Sequence, residues 1–283
     1  MSTFFIRLTR YFGVLACLLH LVSCASTTVP QNHRGQSIHD FGFIAINPNE
    51  IVQVYLKKQS VPSQAGGELA LTIYIEGDGA NWVLQMVPPR NPTPRRSIVA
   101  SLATQDRSPF IMYLARPCQF IDISQIKGCD PSMWADRRFS SPVIQLSNDA
   151  IDKVLRDLPA VQLNLVGHSG GGTLATLIAS TRNDVRCLVT LASPLDISAW
   201  ARSLSVAPLL LSKNPADPNV QLKNIRQTHF FGENDSIVTR ESIGNYRNFS
   251  EKTDFIVIPG FDHTKAWADQ WAILQKKSCL ALN

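Results

Sequence analysis

The sequence predicts an α/β protein with a mostly parallel central sheet, helices on both faces and a small cap segment. Two observations carry this prediction. Short apolar runs alternate along the chain with longer stretches of helical periodicity, the pattern of a sheet wound with crossover helices. The apolar run Val161-Gln-Leu-Asn-Leu-Val-Gly167 also turns directly into the small, aliphatic stretch Gly170–Ala179. The junction, Gly167-His168-Ser169-Gly170-Gly171, reads as a strand bending sharply into a helix with Ser169 at the apex. With 283 residues, 45% of them hydrophobic and 17% charged, there is material for one large core.

In chain order, Met1 to Ser23 reads as a secretory signal. Arg7 and Arg10 form its positive start, and Val14–Val22 is an apolar run too short for a comfortable membrane span. It ends in Leu21-Val22-Ser23-Cys24, which resembles a bacterial lipobox. The resemblance implies cleavage before Cys24 and lipidation of its thiol. The alternatives are a plain signal peptide or an uncleaved anchor. Ala25 and Ser26 follow, with no Asp to suggest inner-membrane retention, so the expected place is the outer membrane facing the periplasm. The lipid would then be the contact with the membrane. Residues 24–49 are polar and read as a tether, and 50–283 as the folded domain.

Ile51–Leu56 alternates like a first strand. Pro62–Gly67 is a turn. Leu69–Ile75 is apolar enough to be central and runs into Glu76-Gly77-Asp78-Gly79-Ala80-Asn81-Trp82. Arg95–Thr104 reads as a helix, and Pro109–Ala115 as a strand. A long loop follows, from Arg116 to Phe139; Trp134, Arg137 and Arg138 either line a substrate mouth or make surface salt bridges. Ser141–Leu158 is an amphipathic helix. After the Ser169 turn come a strand at Val185–Leu191, a Pro-broken stretch at 197–224 that reads as the cap, and strands at Gln227–Phe231 and Asp254–Ile258. Thr264–Lys277 closes the chain as a helix with Trp267, Trp271 and Leu274 inward.

Of six cysteines, Cys17 leaves with the signal and Cys24 carries lipid. Cys118 and Cys129 flank one loop and are expected to pair. Cys187 and Cys279 either form a longer-range disulfide or stay buried as thiols. No C-x-x-C or paired-His spacing points to a metal. The formal charge of +5 falls to about +3 once Arg7 and Arg10 are removed (5 − 2), with no basic aromatic cluster, so no nucleic-acid partner is expected.

Three residues that carry chemistry each follow a predicted strand: Ser169, Asp235 in Phe231-Gly-Glu-Asn-Asp235-Ser-Ile-Val238, and His263 in Pro259-Gly-Phe-Asp-His263. In a parallel sheet they project to one edge, where ligands bind. Asp196 also follows a strand and is the alternative acid. His263 is the sole histidine after Asp235; its other reading is a cap for the last helix. The Gly-rich turn could instead only pack a helix or bind a phosphate, but no Lys follows the glycines, which disfavours a P-loop.

With these motifs in the order Ser, Asp, His, the chain resembles the α/β-hydrolase superfamily over roughly residues 50 to 280. The resemblance implies a serine nucleophile, Ser169, with His263 as base and Asp235 orienting it. It implies an oxyanion hole from the Gly170 N–H and one N–H of the Glu76–Ala80 loop, at Asp78 or alternatively Gly79. The chain departs from the common His-Gly pair there, and an acid at position 78 opposes negative charge unless its side chain is turned away. No metal or organic cofactor is implied. The expected substrate is a small-molecule or lipid-like acyl compound. A non-catalytic envelope binding or assembly protein, and a peptidase or acyltransferase with the same triad, are the rival readings.

Overall fold

The computed structural model describes residues 29–60, 69–79, 87–124, 126–159, 161–222, 224–246 and 253–281. The expected signal, Cys24, the turn at 62–67 and residues 80–82 lie outside them.

Eight strands form one sheet: β1 (Ile44–Ile46), β2 (Val54–Lys58), β3 (Ala70–Ile75), β4 (Phe110–Leu114), β5 (Gln162–His168), β6 (Val185–Leu191), β7 (Arg226–Gly232) and β8 (Thr253–Ile258). Their spatial order is β1-β2-β4-β3-β5-β6-β7-β8. β1 and β2 are antiparallel, as are β2 and β4, and every other pair is parallel. Strand order reverses direction between β3 and β5, so the ends of these neighbours open the crevice that such sheets use for ligands.

Helices cover both faces. α2 (Ser141–Leu155), α3 (Gly170–Ala179) and α4 (Ile197–Ser203) pack against one, with Val143, Ile151, Leu174, Ile178 and Ile197 in the core. α1 (Ile98–Ala103) and α5 (Trp271–Lys276) pack against the other, around Val99, Leu102, Trp267 and Trp271. β3 shows why its run is continuously apolar: Leu71, Ile73 and Ile75 enter one core and Tyr74 the other, all fully buried. No helix among the described residues is long and apolar enough to cross a membrane.

Three expectations are corrected. Residues 29–49 are not a free tether. Ser37 caps a 3-10 turn (Ile38–Phe41), Ile38 and Phe43 are buried, and β1 extends the sheet. This segment also lies beside α1: the Ser97 N–H donates to the Gln31 carbonyl at 2.8 Å, and Arg96 Nη1 to the His33 carbonyl at 3.1 Å. Its few apolar residues, spaced without period, concealed this docking. β2 begins at Val54, not Ile51, because the Ile51 carbonyl accepts from Cys118 N–H across the loop at 2.7 Å. The last helix is confined to Trp271–Lys276. Before it, Asp262 Oδ1 accepts from the N–H groups of Thr264 and Lys265, and Ala266 takes a positive φ of 71°. The chain is bent there into a turn, although Trp267, Trp271 and Leu274 point inward as expected.

Both remaining cysteine pairs are disulfides, Cys118–Cys129 and Cys187–Cys279, with Cα separations of 5.8 and 5.7 Å.

Candidate active site

The turn at Ser169 is sharp. Ser169 has φ 53° and ψ −130°, a conformation that side chains avoid. It is held because β5 and α3 cross at contact distance. A Cβ on Gly167 would sit 2.4 Å from the Gly171 carbonyl group, so only glycine fits there. The result is a half-buried Ser169 on the wall of a cavity of about 470 Å3.

His263 Nε2 lies 3.1 Å from Ser169 Oγ, and His263 Nδ1 lies 2.9 Å from Asp235 Oδ2. Residues separated by up to 94 positions thus form one hydrogen-bonded chain. Asp235 is oriented by its own loop: Oδ1 accepts from the N–H groups of Ile237 and Val238, both at 2.8 Å, which leaves Oδ2 for the imidazole. An ionised carboxylate fixes the proton on His263 Nδ1 and frees Nε2 to accept from the serine.

Asp196 is engaged elsewhere. Its Oδ1 caps α4 through Ser198 and Ala199 N–H and accepts from Asn214, while Oδ2 accepts from Asn245 N–H. Although burial opposes ionisation, these bonds hold the carboxyl below its usual range. The structure therefore places Asp235, not Asp196, on the histidine.

The loop after β3 faces the start of α3. The Gly77 N–H is occupied by its neighbour, Glu76 Oε1, at 2.8 Å. The N–H groups of Asp78, Gly79 and Gly170 bond to no described residue. Gly79 has φ 80° and presses on the Pro92 carbonyl, where a Cβ would approach to 1.8 Å. Gln119 Nε2 holds the Gly77 and Pro92 carbonyls at 3.1 and 3.2 Å. Glu76 is buried and bonded by Ser97 and Tyr113; burial pushes its carboxyl up despite those bonds.

Asp78 does not point away into solvent. Its carboxylate bridges Arg116 at 2.9 Å and Arg138 at 2.7 Å. Burial would raise its pKa, but the two guanidinium groups outweigh that and hold it below the usual carboxylate range. Arg138 is therefore a buried wall residue, not a surface ion-pair partner, and Trp134 is buried with its Nε1–H on the Pro89 carbonyl. The cap stretch supplies an apolar wall through Trp200, Val206, Pro208 and Leu209.

Reading the sequence missed how Arg116, Gln119 and Arg138 hold this loop, since their partners lie 27 to 60 residues away. Nor does the sequence reveal what His168 holds. His168 Nε2–H donates to the His263 carbonyl at 2.8 Å, so it ties the histidine loop to the elbow.

Burial, with a smaller contribution from His263, lowers the His168 pKa to about 4; burial alone lowers that of core His229 to about 3. Both fall below the ordinary value near 6.5, so the unfolded chain binds more protons between these limits. Stability from this source is fully present above about pH 6.5 and is lost as pH falls through about 4 and then 3. The two sites are expected to cost on the order of 3 kcal/mol (His168) and 5 kcal/mol (His229) at the acid end. Thermal melts from pH 7 to 4 should show a falling midpoint, with a shallower fall in His229→Gln. Equal slopes in both proteins would contradict the assignment.

A family model for the alpha/beta hydrolase fold matches residues 144–230. That match takes in Ser169 and stops before Asp235 and His263. No curated protein matches the sequence at a significant level. Among solved structures, the chain is similar to an alpha-beta serine hydrolase homologue from Coxiella burnetii, with TM-score 0.52 and 14% identity over 83% of this chain and 94% of that one. It is similar to Est1E from Butyrivibrio proteoclasticus, with TM-score 0.51 and 16% identity over 83% and 96%. It is also similar to a Mycobacterium tuberculosis puromycin-hydrolyzing peptidase, with TM-score 0.54 and 12% identity over 83% and 38%. The chain has the α/β-hydrolase fold.

Proposed function

We propose that the protein is a serine hydrolase that cleaves ester or related acyl bonds, held at the bacterial cell envelope by lipid on Cys24. The observation that carries the catalytic part is the unbroken chain from Ser169 Oγ through His263 to Asp235, with Ser169 and His263 lining the cavity. In the reaction, Ser169 Oγ bonds to the substrate carbonyl carbon as His263 Nε2 takes its proton. The carbonyl electrons move to oxygen, which is met by the N–H of Gly170 and that of Asp78. The intermediate collapses to an acyl-enzyme, and His263 returns the proton to the departing alcohol. Water repeats the sequence, its proton passing to His263, and releases the acid. The cap wall suits an apolar substituent. A puromycin-hydrolyzing peptidase stands among the structural neighbours, so the leaving atom, oxygen or nitrogen, is a matter for a substrate panel.

The test is labelling of exported protein by a serine-directed fluorophosphonate, with palmitate incorporation followed in the same cells. Labelling absent from Ser169→Ala and palmitate absent from Cys24→Ala are the expected results. A folded wild type that fails to label would favour a binding protein on this scaffold. Palmitate retained in Cys24→Ala would refute the anchor.

A further inference from the structure

Asp78 stands where negative charge is least welcome. Its carboxylate lies flat against Gly170: a Cβ on that residue would sit 2.0 Å from Asp78 Oδ1 and 2.4 Å from Cγ. Gly170 opens α3, and its N–H, beside Ser169, bonds to no described residue. A helix start attracts anions, so an unrestrained carboxylate in this position would compete for that donor.

Two arginines from separate parts of the chain prevent this. Arg116 follows β4 and reaches Oδ1; Arg138 precedes α2 and reaches Oδ2. Arg116 Nη2 also donates to the Arg138 carbonyl, which couples them. Arg116 is 4% exposed and Arg138 6%. The Arg138 guanidinium lies over the rings of Phe139 and Trp200, at 6.0 and 5.8 Å from their centres. Neither Nε has a hydrogen-bond partner among the described residues. One ion pair would be enough to pin a loop, and a second buried guanidinium with an unmet donor is costly. The charge count gives the second arginine a purpose: two arginines against one carboxylate leave +1 (2 − 1) within this cluster. Glu76, the next buried carboxyl, is hydrogen-bonded to Ser97, Tyr113 and the Gly77 N–H and meets Arg116 only through space, and burial pushes its carboxyl toward the neutral form, so it adds little to this count.

We infer that Arg116 and Arg138 are positioning residues for the oxyanion site. They draw the Asp78 carboxylate off the Gly170 amide and leave net positive charge behind the point where the tetrahedral oxyanion forms. The inference rests on the serine hydrolase reading above.

The test compares kcat and KM on one ester for wild type, Arg138→Gln and the double variant Asp78→Asn/Arg138→Gln. Thermal melts confirm folding, and Ser169→Ala runs as the control. Arg138→Gln removes the surplus charge (1 − 1 = 0). Its kcat is expected to fall about 100-fold while KM changes by less than about threefold. The double variant restores +1 (1 − 0), and its kcat is expected to recover at least about tenfold. If Arg138→Gln does not fold, Arg138→Met keeps an apolar stem against Phe139 and Trp200 and carries the same expectations.

A loss of kcat that Asp78→Asn does not relieve would reduce Arg138 to a scaffold residue and overturn the inference. Ser169-dependent turnover indifferent to Arg138 would overturn it alone. Turnover that survives Ser169→Ala would overturn it together with the hydrolase reading.

Discussion

Asp235→Asn is expected to lower kcat by about 10⁴-fold without unfolding the protein. The reason is specific to the acid loop. Asp235 Oδ1 is claimed by two backbone donors, Ile237 and Val238 N–H. An asparagine must therefore keep its carbonyl oxygen on those donors and turn its NH2 toward His263 Nδ1. Two donors cannot face each other, so the imidazole changes tautomer, Nε2 becomes protonated and the proton of Ser169 has nowhere to go. The check is kcat and fluorophosphonate labelling rate, with circular dichroism to confirm the fold. Asp196→Asn makes the contrast. That carboxylate serves the start of α4 and the Asn245 amide, so its loss should cost stability, with turnover within about tenfold of wild type. If Asp235→Asn keeps turnover within that same range, the orienting role belongs to another group.

Removing the Cys187–Cys279 disulfide is expected to destabilise the domain by about 4 kcal/mol. The bond closes a loop of 92 positions and ties β6 to the C-terminal turn. Without it the unfolded chain gains freedom, and the melting temperature should fall by roughly 10 °C. Cys118–Cys129 spans 11 positions, so its removal should cost less in the same measurement. Thermal melts of Cys187→Ser/Cys279→Ser and Cys118→Ser/Cys129→Ser give the ranking. An unchanged midpoint in the first variant would mean that packing around buried Cys187 already fixes the C-terminus.

Much of the fold was legible in the sequence because parallel strands buried on both faces write continuous apolar runs. β6 has the bounds its run predicts, and β3, β4 and β5 differ by a residue or so. The elbow was legible for a related reason: its glycines answer a local steric demand between β5 and α3. Asp235 and His263 could be nominated because strand ends share an edge. Other features depend on partners far apart in sequence. Nothing around Arg138 names Asp78, 60 positions away. The docking of residues 29–49 rests on single apolar residues, Ile38 and Phe43, with no period to reveal them. The turn at 264–270 depends on Asp262 accepting two amides, which overrides a helical pattern.

The docking of that first segment fixes a length scale. Its residues Gln31 and His33 are bonded to Ser97 and Arg96, and Arg96 stands on the cavity wall. Val29 follows Cys24 by five positions (29 − 24), a reach of at most about 18 Å when fully extended. A lipid on Cys24 would therefore keep the edge of the cavity within one short leash of the bilayer surface. Amphiphilic acyl compounds collected in that leaflet would meet Ser169 at an effective concentration set by the leash, far above their level in the surrounding water.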